Sequence, residues 1–229
     1  MSQNLLKRIF TSIILLSLLI FIIFSHHYIF ILSILILGLI ICTEANNLYV
    51  KLLGTIYLEK SSLLKKFNNK FLILNIITFL YIFFIFCNIS YQIFRYEGSV
   101  LFLYIISICF FTDIGGYVFG KIIGGKKLSK ISPNKTISGS VGSFILSIIP
   151  LIIVSNFNYL DLELNLTNII FCLLISLISQ LGDLFISFIK RKAKIKNTGN
   201  LLPGHGGVLD RIDGIIFAVP FSYFLLKLF

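Results

Sequence analysis

The sequence has few charged residues and no tryptophan. Asp, Glu, Lys and Arg make up only 13% of its 229 residues, whereas an average globular chain carries about a quarter. Hydrophobic residues make up 57% of the chain, and its mean hydropathy is +0.99. This composition excludes an ordinary soluble domain and indicates a polytopic membrane protein. Ten tyrosines are available as interfacial anchors in the absence of tryptophan.

Internal repeats, low-complexity tails and Pro/Gly-rich linkers are also missing, so we predict one membrane domain over residues 1–229. The first apolar run follows Lys7 and Arg8, but no small-residue cleavage site follows it, which predicts an uncleaved anchor. Each cysteine stands alone in an apolar run, without C-x-x-C spacing. This pattern favours core or lipid-facing positions for all four, at 42, 87, 109 and 172.

Seven apolar runs come near the ~17–25 residues that a membrane-spanning helix needs. They cover roughly residues 9–24, 28–43, 71–89, 99–112, 139–155, 167–189 and 214–229. We therefore predict an all-α, polytopic membrane helix bundle with about seven transmembrane helices. Residues 45–58 either continue the second helix, lie at the membrane interface or form a short extra element.

The cations follow the positive-inside rule. If the N-terminus is cytoplasmic, eighteen of the 20 Lys and Arg residues fall in cytoplasmic segments, and only Arg95 and Lys227 fall outside. We therefore predict a cytoplasmic N-terminus. Because topology explains most of the net charge of +11, we expect lipid headgroups and no nucleic acid as partners.

The segment Ser187–Asp213 holds six cations, two carboxylates and four glycines between two apolar runs. Glycines in its PGHGG turn allow positive φ and close approach of the backbone to a ligand. Asp210 and Asp213 lie on one face if the chain is helical from Leu209 onward, and there they can share a divalent cation. The mixture of cations and acids indicates a site for phosphate with Mg²⁺.

His205 in this turn lacks a second histidine at ligand spacing, since His26 and His27 belong to the opposite loop, so zinc is not expected. Donation to a phosphate, or shaping of the turn, is favoured over an acid–base role. The first hundred residues contain only three acids, of which Glu44, at a helix end, is the one that suggests chemistry. We therefore expect the catalytic half to be residues 101–229.

Two further sites of polar residues precede this segment. Asp113 ends an apolar run and is followed by glycines at 115, 116, 120, 124 and 125. It either caps a helix at the water boundary, with the glycines allowing close helix packing, or binds a metal. Ser132, Pro133, Asn134, Lys135 and Thr136 form a polar turn before a helix that begins near Ile137. This turn is either an ordinary capped turn or a phosphate site.

Asp183 lies inside an apolar helix. Ser176, Gln180, Asp183, Ser187 and Lys190 share one helical face, which is either wet and ligand-facing or a hydrogen-bonding seam between helices.

The residues S-x-I-K-R, followed by K-N-x-G-x-x-L-P-G-H-G-G-V-x-D-R-I-D, resemble the signature of phosphatidate cytidylyltransferases, also called CDP-diacylglycerol synthases. An aspartate- and glycine-rich helix followed by S-P-N-K-T also resembles this family. Asn197 is the exception, because the family pattern has aspartate there. Either that acid is peripheral, which we favour, or this chain is an impaired or altered member. A catalytically dead scaffold is the extreme case.

The resemblance implies a CTP-dependent nucleotidyltransferase that converts CTP and phosphatidate into CDP-diacylglycerol and pyrophosphate. It implies Mg²⁺ at Asp183 and Asp210, with Asp213 or Asp113 assisting. Phosphate binding is expected from four cations, Lys135, Lys190, Arg191 and Arg211. Further substrate contacts are expected from Ser132, Asn134, Thr136, His205, Gly206 and Gly207.

The expected location is the inner cell membrane, with the active site facing the cytoplasm. Two alternatives are a cytidylyltransferase for another lipid phosphate, such as an ether lipid, and an ion-coupled transporter. A transporter predicts inverted repeats, which are not visible in the sequence. The sequence leaves open whether the chain forms a homodimer and whether a monovalent ion accompanies Mg²⁺.

Overall fold

The computed structural model describes residues 3–57, 64–129, 132, 135–157, 160 and 162–228. Within them the backbone is mostly helical. The elements are α1 (Gln3–Phe24), α2 (His27–Tyr57), α3 (Leu64–Leu80), a π-helical segment (Tyr81–Cys87), α4 (Asn88–Gln92), a second π-helical segment (Ile93–Glu97), α5 (Ser99–Ile122), α6 (Ile137–Leu146), α7 (Ile149–Phe157), α8 (Leu166–Lys192), α9 (Leu209–Ile212) and α10 (Ile215–Leu228). The described residues contain no β-strand, and the predicted all-α fold class is confirmed.

Five helical stretches of the described residues are long and apolar enough to cross a membrane: His27–Gly54, Asn69–Glu97, Ser99–Ile122, Ile137–Phe157 and Leu166–Lys192. The first apolar run forms the shorter stretch Phe10–Phe24 of α1, and the last forms the 14-residue α10. Each of the seven runs thus corresponds to helical structure, while the count of seven spans and the orientation of the N-terminus stay predictions. Helix α2 reaches Tyr57, so residues 45–57 continue the second helix.

The chain forms two compact units. One consists of Met1–Tyr91 with Ile189–Ile212, and the other of Gln92–Phe188 with Asp213–Phe229. The loop of residues 193–208, which we call the signature loop, therefore belongs with the N-terminal helices. The expectation of a single membrane domain with a catalytic half at 101–229 stays a prediction.

Helices α5 and α6 of the second unit approach each other at glycines. A Cβ atom on Gly115 would lie 2.8 Å from the carbonyl carbon of Gly142, and one on Gly139 would lie 2.7 Å from the carbonyl oxygen of Gly116. Backbone atoms cannot give way as the end of a flexible side chain can, so these positions require glycine. The glycines that follow Asp113 within α5 therefore serve helix packing.

The cysteines agree with the expectation from the sequence. Cys87, Cys109 and Cys172 are buried, Cys42 is half-buried, and all four are free thiols. Burial among apolar side chains is the usual environment of a cysteine that behaves as a small hydrophobe.

Candidate active site

The polar turn before α6 caps that helix. Thr136 is the N-cap residue, in an extended conformation, and its Oγ1 accepts a hydrogen bond of 3.1 Å from the backbone N–H of Gly139. The N–H of Lys135 donates to the carbonyl of Ser132 at 3.0 Å. The capped turn of the first interpretation is therefore present. Asn134 lies outside the described residues.

Lys135 brings a cation to α8, where its Nζ forms an ion pair with Oδ2 of Asp183. Both side chains keep partial exposure, 30% for Lys135 and 25% for Asp183. Ser187, one turn further along α8, donates its hydroxyl to Asp183 Oδ1 at 3.1 Å. This acid of an otherwise apolar helix thus has a cationic partner.

Asp213 adds a second carboxylate to this place, since it lies within hydrogen-bonding reach of Asp183. Its side chain is buried, and Oδ1 accepts the N–H of Gly214 at 3.0 Å. The second unit therefore brings Asp183, Asp213 and Lys135 together.

The polar face of α8 divides into two parts. Toward the N-terminal side, Gln180 accepts a 2.6 Å hydrogen bond from Ser140 of α6 and donates to Ser176 at 3.3 Å. These contacts form a hydrogen-bonding seam between helices, which was one of the two interpretations of this polar face. Asp183 and Ser187, further along, carry the partly exposed polar surface that the other interpretation expected.

The first unit holds a separate ion pair. Lys190 Nζ lies 2.7 Å from Asp210 Oδ1, and only 11% and 5% of these side chains are exposed. The other carboxylate oxygen of Asp210, Oδ2, accepts the N–H of Thr198 at 2.8 Å and that of Gly207 at 3.0 Å. Asp210 therefore fixes the signature loop as well as pairing with Lys190.

The expectation that Asp210 and Asp213 share a helical face is wrong. Helix α9 has only four residues and ends at Ile212, and a turn at Asp213 and Gly214 precedes α10. The two acids fall in different units and have different partners. A turn that breaks the helix directly after D-R-I is not visible from residue spacing, which assumes a continuous helix.

His205 and Arg211 shape the PGHGG turn. The guanidinium of Arg211 donates from Nε and Nη2 to the His205 carbonyl at 3.1 and 2.8 Å. The imidazole of His205 lies 2.7 Å from the hydroxyl of Thr11 and 3.3 Å from that of Ser12, both in α1. Gly204 and Gly206 have φ of 78° and 89°, which favours glycine.

Asn197, the departure from the family pattern, lies beside Asp210. A Cβ atom on Gly206 would be 3.0 Å both from Cγ of Asn197 and from Oδ2 of Asp210. Asn197 and Arg191 are exposed, whereas Gly206 and Gly207 are buried. A carboxylate in place of this amide would therefore stand near that of Asp210.

Glu44 was expected at a helix end, as the one early acid that suggested chemistry, but it lies inside α2 with only 2% of its surface exposed. Its carboxylate accepts hydrogen bonds from the N–H groups of Val208 and Leu209, both at 2.9 Å, and from the hydroxyl of Thr198 at 3.0 Å. An acid directly after an apolar run was the available signal. Its partners, more than 150 positions later, had no sequence signal.

The described residues contain no group of three or more His, Cys, Asp and Glu side chains arranged to hold a metal ion. Mg²⁺ usually uses one or two carboxylates and completes its shell with water and substrate phosphates. The pair Asp183 and Asp213 fits that requirement. Asp210 has two carboxylate oxygens that already accept three hydrogen bonds, and Asp113 is an exposed residue of α5.

Several curated proteins are similar to this chain. The phosphatidate cytidylyltransferase of Bacillus subtilis (strain 168) is 40% identical over 133 residues, which are 58% of this chain and 49% of that protein. Those of Staphylococcus aureus (strain COL) and Staphylococcus haemolyticus (strain JCSC1435) are 43% and 41% identical, over 58% of this chain and 51% of each protein. The chain spans about half the length of the curated relatives it matches.

The match to a family model is longer and includes both ion pairs. It covers residues 47–229, which contain Lys135, Asp183, Lys190, Asp210 and Asp213. These residues form the two clusters of acids and cations described above. Since the match covers most of the chain, this protein belongs to the cytidylyltransferase family.

Proposed function

We propose that this protein is a phosphatidate cytidylyltransferase, which transfers a cytidylyl group from CTP to phosphatidate and releases pyrophosphate. The observation that carries the proposal is the cluster of Lys135, Asp183 and Asp213. It combines the carboxylate of Asp183, in a membrane-spanning helix, with the neighbouring carboxylate of Asp213 and the cation of Lys135. Family membership and the names of the relatives support the same chemistry.

The reaction needs positioning and charge neutralisation more than proton transfer. An oxygen of the phosphatidate phosphate attacks the α-phosphorus of CTP, the bond between that phosphorus and the bridging oxygen to the β-phosphate breaks, and pyrophosphate leaves. The attacking phosphate is already anionic, so a strong general base is not required. Groups that oppose negative charge at the transferred phosphoryl group lower the barrier.

Asp183 and Asp213 are the residues that would hold Mg²⁺, with Asp210 and Asp113 as further candidates. When bound, the ion would neutralise the triphosphate and polarise the α-phosphoryl group. A second, monovalent cation stays a prediction.

The cations would bind the phosphates of both substrates. Lys135 is partly exposed, and Arg191 is exposed at the end of α8, so both can reach a ligand. Lys190 is bound to Asp210 and Arg211 to the His205 carbonyl. These contacts fix both side chains before a phosphate binds. Ser132 and Thr136 would add hydroxyl donors.

The lipid and the topology belong to the same proposal. Phosphatidate would reach the site sideways from the bilayer, at the cytoplasmic face of the inner membrane, where the positive-inside rule predicts the basic loops. The signature implies headgroup chemistry and does not select between ester- and ether-linked chains. The homodimer also stays open.

Release of pyrophosphate tests the proposal. The full chain, purified in lipid nanodiscs, is given CTP, Mg²⁺ and either phosphatidate or its ether-linked analogue. We expect pyrophosphate and CDP-diacylglycerol from phosphatidate, and loss of both with Asp183→Asn. Glu97→Gln is the matched control, since it removes one charge from an exposed residue outside both clusters. Absence of lipid-dependent pyrophosphate release by the folded wild-type protein would refute the proposal.

A further inference from the structure

Glu44 is a buried acid of a membrane-spanning helix that serves none of the roles assigned above. Only 2% of its surface is exposed, although it follows directly on the apolar run of α2 that ends at Thr43. Burying a carboxylate is costly unless it is paired or hydrogen-bonded. Its three donors therefore explain how α2 accommodates this acid.

All three donors belong to the signature loop and the first residue of α9. Val208 N–H donates to Oε1, while Leu209 N–H and the Thr198 hydroxyl donate to Oε2. The carboxylate thus joins two parts of the loop that are separated by the PGHGG turn. Both backbone donors lie at the start of α9, where N–H groups lack partners within the helix.

Two glycines of the signature make space for this carboxylate. A Cβ atom on Gly199 would lie 2.6 Å from Glu44 Oε1, and one on Gly207 would lie 2.8 Å from Glu44 Cδ. Any larger residue at either position would push the carboxylate away from its donors. These two glycines of the signature loop therefore have a structural reason that involves Glu44.

The same loop is held by Asp210, which accepts the N–H groups of Thr198 and Gly207. Thr198 is thus bound by both acids, through its hydroxyl to Glu44 and through its N–H to Asp210. A shift of Glu44 therefore moves Thr198 and, through it, the carboxylate of Asp210 and its partner Lys190.

We propose that Glu44 is a positioning residue of the active site, which holds the signature loop and, through it, the ion pair of Asp210 and Lys190 in the geometry that turnover requires. This role rests on the proposed cytidylyltransferase function. The carboxylate itself is required, because its two oxygens each accept a backbone N–H. An amide of the same shape offers only one acceptor oxygen, and its NH₂ group would face a donor.

Hydrogen exchange tests the contact itself. The full chain in nanodiscs is compared as wild type, Glu44→Gln, Glu44→Asp and Glu97→Gln, with exchange followed in peptides covering residues 198–209. Glu44→Gln should speed exchange in this segment about tenfold or more, with α5 and α8 unchanged. Glu44→Asp should recover part of the protection, because both acceptor oxygens remain. Glu97→Gln should match wild type.

Turnover tests the positioning role. Because geometry at the reacting atoms is sensitive to small displacements, Glu44→Gln should lower kcat about 100-fold, while KM for CTP should change less than about threefold. Glu44→Asp should restore part of kcat. If Glu44 served folding alone, Glu44→Gln would reduce the amount of active protein but would not lower kcat while leaving KM nearly unchanged. Glu44→Asp would then not restore kcat.

The outcomes separate this inference from the proposed function. If wild type shows no turnover, the proposed function fails, while the exchange data still decide whether Glu44 holds the loop. Unchanged exchange in folded Glu44→Gln, or wild-type kcat in that variant, overturns the inference. If Glu44→Gln gives no folded protein, Glu44→Asp takes its place, and wild-type exchange and kcat there overturn it equally.

Discussion

Lys190 and Asp210 form an ion pair that is nearly closed to solvent, with Nζ 2.7 Å from Oδ1. The lysine comes from the last turn of α8 and the aspartate from α9, so the pair joins the two ends of the signature loop. The other oxygen of Asp210 is occupied by two backbone N–H groups of that loop. This carboxylate is therefore a structural centre as well as a candidate metal ligand.

Lys190→Met should destabilise the protein by roughly 3 kcal/mol, because it leaves the Asp210 charge buried without its partner. Thermal unfolding in detergent measures the effect. Lys192→Met is the control, since Lys192 is an exposed residue of the same helix end and loses the same charge. An equal change in both variants would mean that the pair with Asp210 contributes nothing specific.

Asn197→Asp should make stability depend more strongly on Mg²⁺. The new carboxylate would stand near that of Asp210, so without the ion the two repel, and we expect Tm to fall by about 2–4 °C. With Mg²⁺ present the acids can share a cation, and Tm should recover or exceed that of wild type. Asn200→Asp, an exposed change on the same loop, should show no such dependence. The same response in both variants would contradict a metal site at this position.

Gly115→Ala should destabilise the second unit by about 1–3 kcal/mol, because the added methyl group meets the backbone of Gly142 and Ser143. Gly120→Ala is a matched control on the same helix, where the nearest atom is the side-chain Oγ1 of Thr136 at 3.1 Å. In detergent, Gly115→Ala should therefore unfold at a clearly lower temperature than Gly120→Ala. If they unfold alike, the close approach of α5 and α6 does not need glycine.

Asp213→Asn should lower pyrophosphate release about 10–100-fold, since it removes one of two neighbouring carboxylates. Raising the Mg²⁺ concentration should recover part of the rate. Asp113→Asn provides the comparison, because Asp113 is exposed, whereas Asp213 is buried beside Asp183. A larger loss of activity in Asp113→Asn than in Asp213→Asn would contradict the assignment of Mg²⁺ to Asp183 and Asp213.

Hydropathy and local spacing predicted much of this structure. Runs of apolar residues marked the helices, and a capped turn before α6 was one of the two interpretations offered, because N-caps have a local signal. The partners on the Asp183 face were partly foreseen, since positions i, i+4 and i+7 share a helix face.

Contacts between distant segments could not be predicted in this way. Nothing near Asp183 names Lys135 as its partner, and nothing near Glu44 names Val208. The break after Ile212, which separates Asp210 from Asp213, was also not predicted, although Gly214 directly after it disfavours a continuous helix. The sequence therefore predicted individual site residues more readily than the pairs that these residues form.

Glu44 makes the structure of the signature loop depend on α2, a helix far upstream in the sequence. Val208 and Leu209 bind a side chain 164 and 165 positions upstream, and the segment matched by the family begins only at residue 47. A fragment that starts there would carry every motif of the signature and still lack the acceptor for these two amides. Recombinant pieces chosen by the family boundary should therefore turn over poorly even when they insert correctly into a bilayer.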